Sequence, residues 1–410
     1  MFLARGRKSL PLGYEMNAHP ASSVEDFHAA LRDFVFPVRE KVCPGKPFAI
    51  APHIGAALVK QLAQPGLAER VGSYLRDYDL HLYTVNAFPL KDFHARRVKE
   101  LVYQPSWAQG SRAQLTCKIA DVLVRMSPSS KLLTISTLGG GYRPAGNSRK
   151  TLQKMAINYL KVVAHLARIE YDSGYRILLN AEPEPDTTFE CAEDVISFWQ
   201  QYLQPGIDDL AGELQCSKRK AEKLLRRHWT VNLDACHSAV LFRSPLEDLN
   251  MLDAEGIQVG KFHVTSAPAL KNPGRSEEGL AELLAHVEPR YLHQTALQLK
   301  DGSIERLEDL PLLRRRDLSD VREVRTHFHV PLSRARHGKL ATTRGDALAL
   351  LEEGLRRQHP RKGPHLAIET YTWPVLTKGL RKKERQQKLI DGIAAELRWA
   401  KKASYLEFAE

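Results

Sequence analysis

The stretches YRILLNAEPEP (175–185) and TVNLDACHSAV (230–240) decide the fold, because each is an apolar run that ends in ionisable residues. Glu182 closes the first run, and Asp234 with His237 closes the second. Buried strands do not normally finish in clustered ionisable groups. The parallel strands of a (β/α)8 TIM barrel do, because they place their functional side chains at their carboxyl ends. The two stretches therefore predict neighbouring barrel strands that carry metal ligands.

Three later stretches repeat this pattern and contribute His263, the pair His327 and His329, and Glu369. Side chains alternate along a strand, so the two histidines of the HxH pair are expected to point to one side. Glu369 lies between apolar residues, where a carboxylate is costly unless it is paired or coordinated. The sequence leaves open which of the three histidines binds a metal. The predicted ligand set is Glu182, Asp234, His237, His263, His329 and Glu369.

Each of these residues also has an interpretation without a metal. Asp234 resembles a helix N-cap, Glu182 could be an exposed loop residue, and a lone strand histidine such as His263 is more often hydrogen-bonded in the core. Glu184 and Asp186 follow in the same turn and are expected to be solvated. The recurrence of ligand-type residues at five predicted strand ends favours the metal site.

Strand-like segments alternate with amphipathic segments along the whole chain, which is typical of βα units. At 410 residues the chain is long enough for one TIM barrel with insertions. We predict a TIM barrel that forms a single domain over residues 1–410. An insertion at 268–363 lies between strands seven and eight and carries YLHQT and THFHVPL (326–332), a further strand-like segment. The predicted barrel strands are 13–19, 47–53, 80–88, 131–138, 175–182, 230–236, 260–266 and 365–371. The predicted helices include 24–42, 152–169, 193–227, 346–357 and 382–402.

Composition sets limits on partners and compartment. No apolar run reaches the roughly 20 residues that span a bilayer, and the first twenty residues lack the apolar core of a signal peptide. Five widely spaced cysteines favour reduced thiols and a cytoplasmic protein, with Cys236 expected to be a small buried hydrophobe. The net charge of +12 permits anionic partners. The basic runs are short and lack interleaved aromatic residues, which makes nucleic acid a less favoured partner than a small molecule.

Polar residues follow the early strand-like segments and indicate substrate-binding positions. Asn17 and His19 follow the first segment, His53 the second, and Asn86 and His94 the third. Asparagine and histidine at strand ends suit the binding of hydroxyl or phosphate groups, although turn formation is the usual role of asparagine. The predicted substrate-binding residues are Asn17, His19, His53, Asn86, Tyr371 and Trp373.

Carboxylates and imidazoles around one divalent cation (Mn, Mg, Co, Fe or Zn) support isomerisation or epimerisation of a polyhydroxy or phosphorylated small molecule, such as a sugar. The metal holds neighbouring carbonyl and hydroxyl oxygens and polarises the carbonyl. Glu182 and Glu369 then serve as base and acid, while His237 orients the substrate or binds a second ion. Two alternatives stay open. The extra histidines suit a multinuclear zinc phosphoesterase, and the same mouth could belong to a non-catalytic module that binds a metabolite or a partner protein.

The chain resembles the xylose-isomerase-like TIM barrels, the superfamily of sugar isomerases, epimerases and endonuclease IV. It is more closely similar to the bacterial EboE family of metabolite-traffic proteins. The phrases that carry the resemblance include MNAHP, TISTLGGGYRP, LNAEPEP, LDACHSAV, YLHQT, THFHVPL and ETYTWPVL. The resemblance implies a TIM barrel, a metal site at strands five to eight, and a role beside the proteins of a secondary-metabolite synthesis or export cluster. It departs at His263, where the family tends to carry glutamine, so the ligand set implied there stays open.

Overall fold

Eight parallel strands form a closed barrel, which confirms the predicted (β/α)8 fold. A computed structural model describes residues 1–5, 8–91, 98–357 and 363–403. Barrel strand three runs in two parts on either side of Tyr83. Because the eight barrel strands are parallel, all of their carboxyl ends meet at one mouth of the barrel. Barrel strands one to eight are Lys8–Tyr14, Phe48–Ile50, Leu80–Leu82 with Thr84–Asn86, Leu132–Leu138, Arg176–Glu182, Trp229–Asp234, Val259–Val264 and His365–Ile368.

The barrel closes through the pairing of strand one with strand eight. Leu12 pairs with Leu366 in parallel register, and a bridge between Glu15 and Ala51 joins strand one to strand two. The remaining neighbours pair in chain order. A short strand, Phe2–Arg5, pairs antiparallel with the start of strand one. Strand one is therefore bonded to neighbours on both sides, as a barrel requires.

Helices cover the outside of the barrel, and their sequences explain their limits. The longest begins after Ser148, whose hydroxyl caps the amide of Thr151, and ends at Gly174 in the left-handed conformation that glycine adopts without strain. The helices longer than a turn are Val24–Ala30 continued through Phe36–Val42, Ala56–Leu62, Leu67–Asp77, Gly110–Arg125, Arg149–Ser173, Ala192–Phe198, Ile207–Glu213, Lys218–His228, Ala235–Val240, Pro245–Ala254, Glu277–Leu284, Arg344–Arg357 and Lys382–Ala403.

A second sheet, of six antiparallel strands, is inserted between barrel strands seven and eight. Its own apolar cluster, which includes Leu270, Leu297 and Val324, is separate from the barrel core. The helix Arg344–Arg357 falls in the same predicted insertion, yet it packs on barrel strands seven and eight as an outer helix. In spatial order the strands are Ile304–Leu307, Thr295–Leu299, Val321–Thr326, Pro268–Lys271, Leu340–Thr342 and Arg336–His337.

The first barrel strand and the predicted strand at 326–332 were placed wrongly. Strand one is Lys8–Tyr14 and not 13–19, because Leu10 and Leu12 supply its buried positions and the following residues turn at the mouth. The inserted strand ends at Thr326, where its partner strand runs out. Residues 327–332 are irregular and cross the mouth of the barrel, held there by the amide of Val330 on the carbonyl of Ser266 (N···O 2.8 Å).

Other predicted boundaries also need correction. The helix expected at 193–227 breaks between Glu213 and Lys218, so it is several short helices. Barrel strands six to eight stop two or three residues before the predicted ends, because a short helix, Ala235–Val240, or a turn follows at once. Among the described residues, no helix combines the length and apolarity that crossing a bilayer would need.

Candidate metal centre

Four side chains from barrel strands five to eight converge at the mouth. Glu182 ends strand five, Asp234 ends strand six, His263 lies one residue before the end of strand seven, and Glu369 directly follows strand eight. One donor atom from each lies within 4.8 Å of the donor atoms of the others, and all four residues are buried. Adjacent strand ends supply one ligand each, so the barrel itself sets the spacing of this four-residue centre.

Asp234 is a helix cap and a possible metal ligand at the same time. Its Oδ1 accepts hydrogen bonds from the amide of His237 (3.0 Å) and the hydroxyl of Thr265 (2.6 Å). Its Oδ2 is buried and has no hydrogen-bond partner among the described residues. The two interpretations left open by the sequence are therefore compatible, because each uses a different oxygen.

The buried ion pair between Glu15 and Lys261 orients His263. Its Nδ1 lies 2.9 Å from Glu182 Oε1, and its Nε2 lies 3.1 Å from Glu15 Oε1. Lys261 Nζ donates to the same Glu15 oxygen (2.5 Å) and to the hydroxyl of Ser136 (2.8 Å). An imidazole that donates one N–H to a carboxylate presents the lone pair of its other nitrogen to the metal. This arrangement directs Nδ1 of His263 into the four-residue centre.

The electrostatics of the centre suit a cation. Burial raises the pKa of Glu369 to about 8, and the nearby carboxylates of Glu182, Glu15 and Asp234 add to this effect against the opposing charge of His263. Burial disfavours the charged form of His263 as well, yet Glu182 and Glu369 raise its pKa well above the usual range. Without a metal, a proton on His263 offsets the crowded carboxylates. A bound divalent cation would do so more fully.

Donor atoms without partners support the same conclusion. Besides Asp234 Oδ2, the buried Oε2 of Glu182 accepts no hydrogen bond from the part of the chain that the structure describes, and leaving a buried polar atom unpaired is costly. The opposite face of the centre is occupied by amides, because Asn17 Nδ2 (2.5 Å) and Asn86 Nδ2 (3.2 Å) both donate to Glu369 Oε1. The residues present therefore fit a divalent metal bound by carboxylates and one imidazole.

A small cavity of about 70 Å³ opens beside the centre, and Glu182 and Glu369 of the centre line it. Three of the predicted substrate-binding residues, Asn17, Asn86 and Tyr371, line it. Its described lining contains one lysine or arginine, Lys99, whose ammonium is 2.7 Å from Asp309 Oδ2. Aromatic side chains form much of the remaining wall: Phe88, Tyr103, Tyr291 and Tyr371.

The other three predicted substrate-binding residues do not line this cavity. His19 bonds to the hydroxyl of Tyr14 (3.0 Å) and stacks on Phe34. His53 Nε2 lies 2.7 Å from the carbonyl of Pro89. Trp373 donates its indole N–H to Glu396 (2.8 Å) and packs inside the helical layer. Each of these three side chains contacts other parts of the protein near the mouth. His94 lies outside the described residues.

Glu184 was expected to be solvated and is instead buried beside the cavity. Its side chain lies among lining residues and accepts a hydrogen bond from Tyr103 Oη (3.1 Å). Burial, strengthened by Glu182, raises its pKa well above the usual range. Residues beside the inserted strands contribute to this burial, because Gln294 donates to the carbonyl of Pro185 (3.0 Å) and Nδ1 of His327 lies 3.4 Å from Glu184 Oε1. Asp186, also expected to be solvated, is partly buried and pairs with Arg306.

Three further histidines reach the same cavity. His237 comes from the helix after strand six, and His327 and His329 come from the irregular segment after the inserted sheet. Their donor nitrogens lie within 4.8 Å of one another. Burial lowers the pKa of His329 to about 4 and that of His327 well below its usual value, since neighbouring histidines add to the effect on His327. The interpretation of the HxH pair as a strand was wrong, although both imidazoles do face the mouth.

The sequence analysis missed Glu15, Lys261 and Glu396. Lys261 precedes His263 by two residues within an apolar strand, so the period of two places both side chains on the inner face. That pattern could have identified Lys261. Its partner Glu15 follows the true end of strand one, which had been placed too late in the chain. Glu396 is one acid on an amphipathic helix and carries no distinguishing sequence pattern.

No protein-family model matches the chain, and no curated protein matches it. Solved structures with similar folds include an L-ribulose 3-epimerase, at 9% identity over 97% of this chain and 95% of that chain, with a TM-score of 0.48. Another is the probable 3-DHS dehydratase AsbF, involved in petrobactin synthesis, from Bacillus anthracis, at 12% identity over 95% of this chain and 98% of that chain, with a TM-score of 0.46. A third is the IOLI protein with a bound zinc atom, at 10% identity over 96% of this chain and 98% of that chain, with a TM-score of 0.45. The reaction must therefore be argued from the residues of this chain.

Proposed function

We propose that the chain is a divalent-metal-dependent isomerase or epimerase that acts on a small polyhydroxy molecule. The observation that carries this proposal is the convergence of Glu182, Asp234, His263 and Glu369 on one buried centre, two of whose carboxylates line the cavity. When bound there, a cation would hold adjacent carbonyl and hydroxyl oxygens of the substrate and polarise the carbonyl. An unphosphorylated substrate is favoured because Lys99, the one lysine or arginine of the described lining, already pairs with Asp309.

The protein's own groups supply the proton transfers. Removing a proton from the carbon beside a carbonyl needs a positioned base, and returning it to a neighbouring atom or to the other face needs a positioned acid. Glu182 and Glu369 border the cavity from strands five and eight and serve these roles. Asn17 and Asn86 hold Glu369 in place, while His237 orients substrate hydroxyls.

Substitution of Glu369 by Gln tests the proposal, because it keeps the shape of the side chain and removes its capacity to take up a proton. The manganese-loaded protein would be screened with aldoses and ketoses, and exchange of substrate C–H protons would be followed by NMR in D2O. We expect turnover to fall by about 10²–10⁴-fold or more, the usual contribution of a general base. The exposed Glu40→Gln variant is the matched control. Unchanged turnover in Glu369→Gln would exclude the assigned role.

Phosphoester hydrolysis is the second candidate, and the three additional histidines at the cavity favour it. Sites of two or more zinc ions are typical of phosphatases and nucleases. Release of phosphate from sugar phosphates, or cleavage of abasic DNA, without any exchange of C–H protons would select this candidate. A ligand that binds without either reaction would indicate a non-catalytic metabolite-binding module.

The cellular role follows the resemblance to the EboE family. We propose that the product or ligand belongs to a secondary-metabolite synthesis or export system, that other proteins of that system are partners, and that the chain acts in the cytoplasm as one domain. Deletion of the gene, followed by a comparison of small-molecule extracts, tests this assignment. Identical extracts would count against it.

A further inference from the structure

We infer that the substrate carries a primary amine, and that Glu184 binds its ammonium group at the wall of the cavity. The polyhydroxy molecule of the proposed function is then an amino sugar or an amino polyol. The inference rests on the proposed function for the place of the reaction, and it adds the chemical class of the substrate.

Glu184 is a cavity carboxylate that the four-residue centre does not use. Its side chain lines the cavity beside Glu182 and Glu369, and the residue is only 6% exposed. Among the described residues, none of the clusters of donor atoms that could hold a metal includes Glu184. A buried carboxylate is costly unless it is paired. Glu184 therefore needs a positive partner other than a metal ion at these clusters.

A chain of hydrogen bonds fixes the orientation of the Glu184 carboxylate. Gln294 Nε2 donates to the hydroxyl oxygen of Tyr103 (2.7 Å), and this hydroxyl donates in turn to Glu184 Oε1 (3.1 Å). The other oxygen, Oε2, is buried and has no hydrogen-bond partner within the described ranges. Because an unpaired buried oxygen is costly, Oε2 is the atom to which a bound ligand would donate.

The nearest imidazole does not supply the missing partner. Nδ1 of His327 lies 3.4 Å from Glu184 Oε1, but it lies 2.9 Å from Gln294 Oε1. The amide of Gln294 donates to Tyr103 and to the carbonyl of Pro185 (3.0 Å). Its oxygen is therefore the acceptor for His327, and Oε2 of Glu184 stays available to a ligand.

The charge of the cavity favours a cationic ligand. Its described lining contains the carboxylates of Glu182, Glu184 and Glu369 and one lysine or arginine, Lys99. Lys99 is paired with Asp309 (2.7 Å), so it does not offset these acids. An anionic substituent would be repelled by Glu184, and a neutral hydroxyl would leave its charge unbalanced. An ammonium group supplies the positive charge that complements this wall.

The aromatic part of the wall also suits an ammonium group. Tyr103, whose hydroxyl holds Glu184, lines the cavity together with Phe88, Tyr291 and Tyr371. Aromatic rings attract cations that lie within about 6 Å of their faces, and aromatic side chains commonly line the sites that recognise ammonium ligands. The same wall therefore offers a carboxylate and aromatic rings to one substituent of the substrate.

Matched pairs of amines and alcohols test the inference on the natural protein. The manganese-loaded protein would be titrated calorimetrically at pH 7 with serinol and glycerol, and with D-glucamine and D-sorbitol. Within each pair a hydroxyl of the alcohol is replaced by an amine. We expect the amine to bind about 10–100-fold more tightly than its alcohol, the usual contribution of a hydrogen bond to a charged group. Absence of a preference for the amine in both pairs would overturn the inference.

The variant Glu184→Gln assigns the preference to this side chain. It keeps the size of the residue and an oxygen that accepts from Tyr103, and it removes the negative charge. We expect the preference for the amine to disappear, while the exposed Glu40→Gln control keeps it. Elemental analysis would check that both variants hold the same manganese content. A preference that persists in Glu184→Gln would show that the amine binds the metal or another group, which would refute the role of Glu184.

Exchange of C–H protons separates this inference from the proposed function. Glucose and fructose would be compared with their 6-amino-6-deoxy counterparts in D2O. We expect a higher kcat/KM for the amino sugars in the natural protein and an equal one in Glu184→Gln. Equal exchange in the natural protein would refute the inference and leave the isomerase standing. Amine binding that depends on Glu184, without exchange in any sugar, would establish the amine site and refute the proposed isomerase.

Discussion

At the residue scale, the centre depends on side chains that divide their atoms between two tasks. Asp234 caps a helix with Oδ1 and keeps Oδ2 for the centre. His263 donates from Nε2 to Glu15 and presents Nδ1. A residue that meets a structural and a functional requirement at once is held rigidly, because its structural bond fixes the orientation of the functional atom.

Glu15 is expected to control metal affinity without touching the metal. Glu15→Gln removes the negative charge that holds the N–H of His263 and leaves Lys261 buried without its counter-ion. We expect the affinity of the four-residue centre for Mn²⁺ to fall about 10–100-fold, as for other second-shell substitutions. Isothermal titration calorimetry measures the change, with the exposed Glu40→Gln variant as control.

The double variant Glu15→Gln/Lys261→Met distinguishes orientation of the histidine from stability. Removing both partners avoids a lone buried charge, whose penalty is about 3–5 kcal/mol. We expect it to regain stability in urea denaturation and to keep the weakened metal affinity. Full recovery of affinity would show that Glu15 acts through stability alone.

At the scale of elements, one carboxylate joins three segments that surround the mouth. Glu396, on the helix Lys382–Ala403, accepts hydrogen bonds from the amide of Leu332 (3.0 Å), the hydroxyl of Thr370 (2.6 Å) and the indole of Trp373 (2.8 Å). Leu332 follows the histidine segment, and Thr370 follows Glu369. The last helix therefore positions both sides of the cavity.

This carboxyl group is expected to make stability depend on pH. Burial raises the pKa of Glu396 to about 7, from 4.5 in an exposed glutamate, against the lowering effect of its hydrogen bonds. Between these values the folded chain holds a proton that the unfolded chain has lost. This contribution to the unfolding free energy is therefore complete below pH 4.5 and is lost as the pH rises through 7, by up to about 3 kcal/mol.

A comparison with Glu396→Gln isolates this effect, because the amide does not titrate. We expect the difference in unfolding free energy, natural protein minus variant, to fall by about that amount between pH 4.5 and pH 8 in urea denaturation. The sign follows from a folded-state pKa above the unfolded one. A difference that stays constant with pH would show that Glu396 is charged throughout.

At the scale of the whole molecule, the fold concentrates buried acids at one end of the barrel. Glu182, Glu184, Asp234 and Glu369 are all buried at the mouth. Their mutual repulsion destabilises the folded chain when no cation is present. The barrel core and the separate core of the inserted sheet offset this cost.

Metal binding should therefore stabilise the whole protein. We expect Mn²⁺ or Zn²⁺ to raise the melting temperature reversibly, with about 2.7 kcal/mol of added unfolding free energy at a concentration 100-fold above the dissociation constant. Differential scanning calorimetry with and without chelator measures the shift. Glu182→Gln/Asp234→Asn, which removes two of the three carboxylates of the centre, should melt at a higher temperature than the metal-free natural protein and respond less to the ion. An equal response would place the ion elsewhere.

The amino-acid sequence by itself determined the barrel and the identity of its metal-type residues. Alternating strand and helix patterns predicted eight βα units, because burial on both sides of a strand and on one side of a helix leaves a periodic record in the chain. Glu182, Asp234, His263 and Glu369 were identified at strand ends for the same reason, since a carboxylate or imidazole that closes an apolar run stands out.

Only the tertiary structure decided which of these groups meet and how they are oriented. The three histidines at the cavity join the helix after strand six to a segment about ninety residues later, and each ring forms a hydrogen bond to the carbonyl of Pro183, the carbonyl of Glu369 or the side chain of Gln294. The burial of Glu184 depends on residues of the insertion. The link that Glu396 makes between distant segments depends on the last helix. Local patterns record the burial of a residue, whereas contacts between distant segments depend on barrel closure, which no short stretch of sequence specifies.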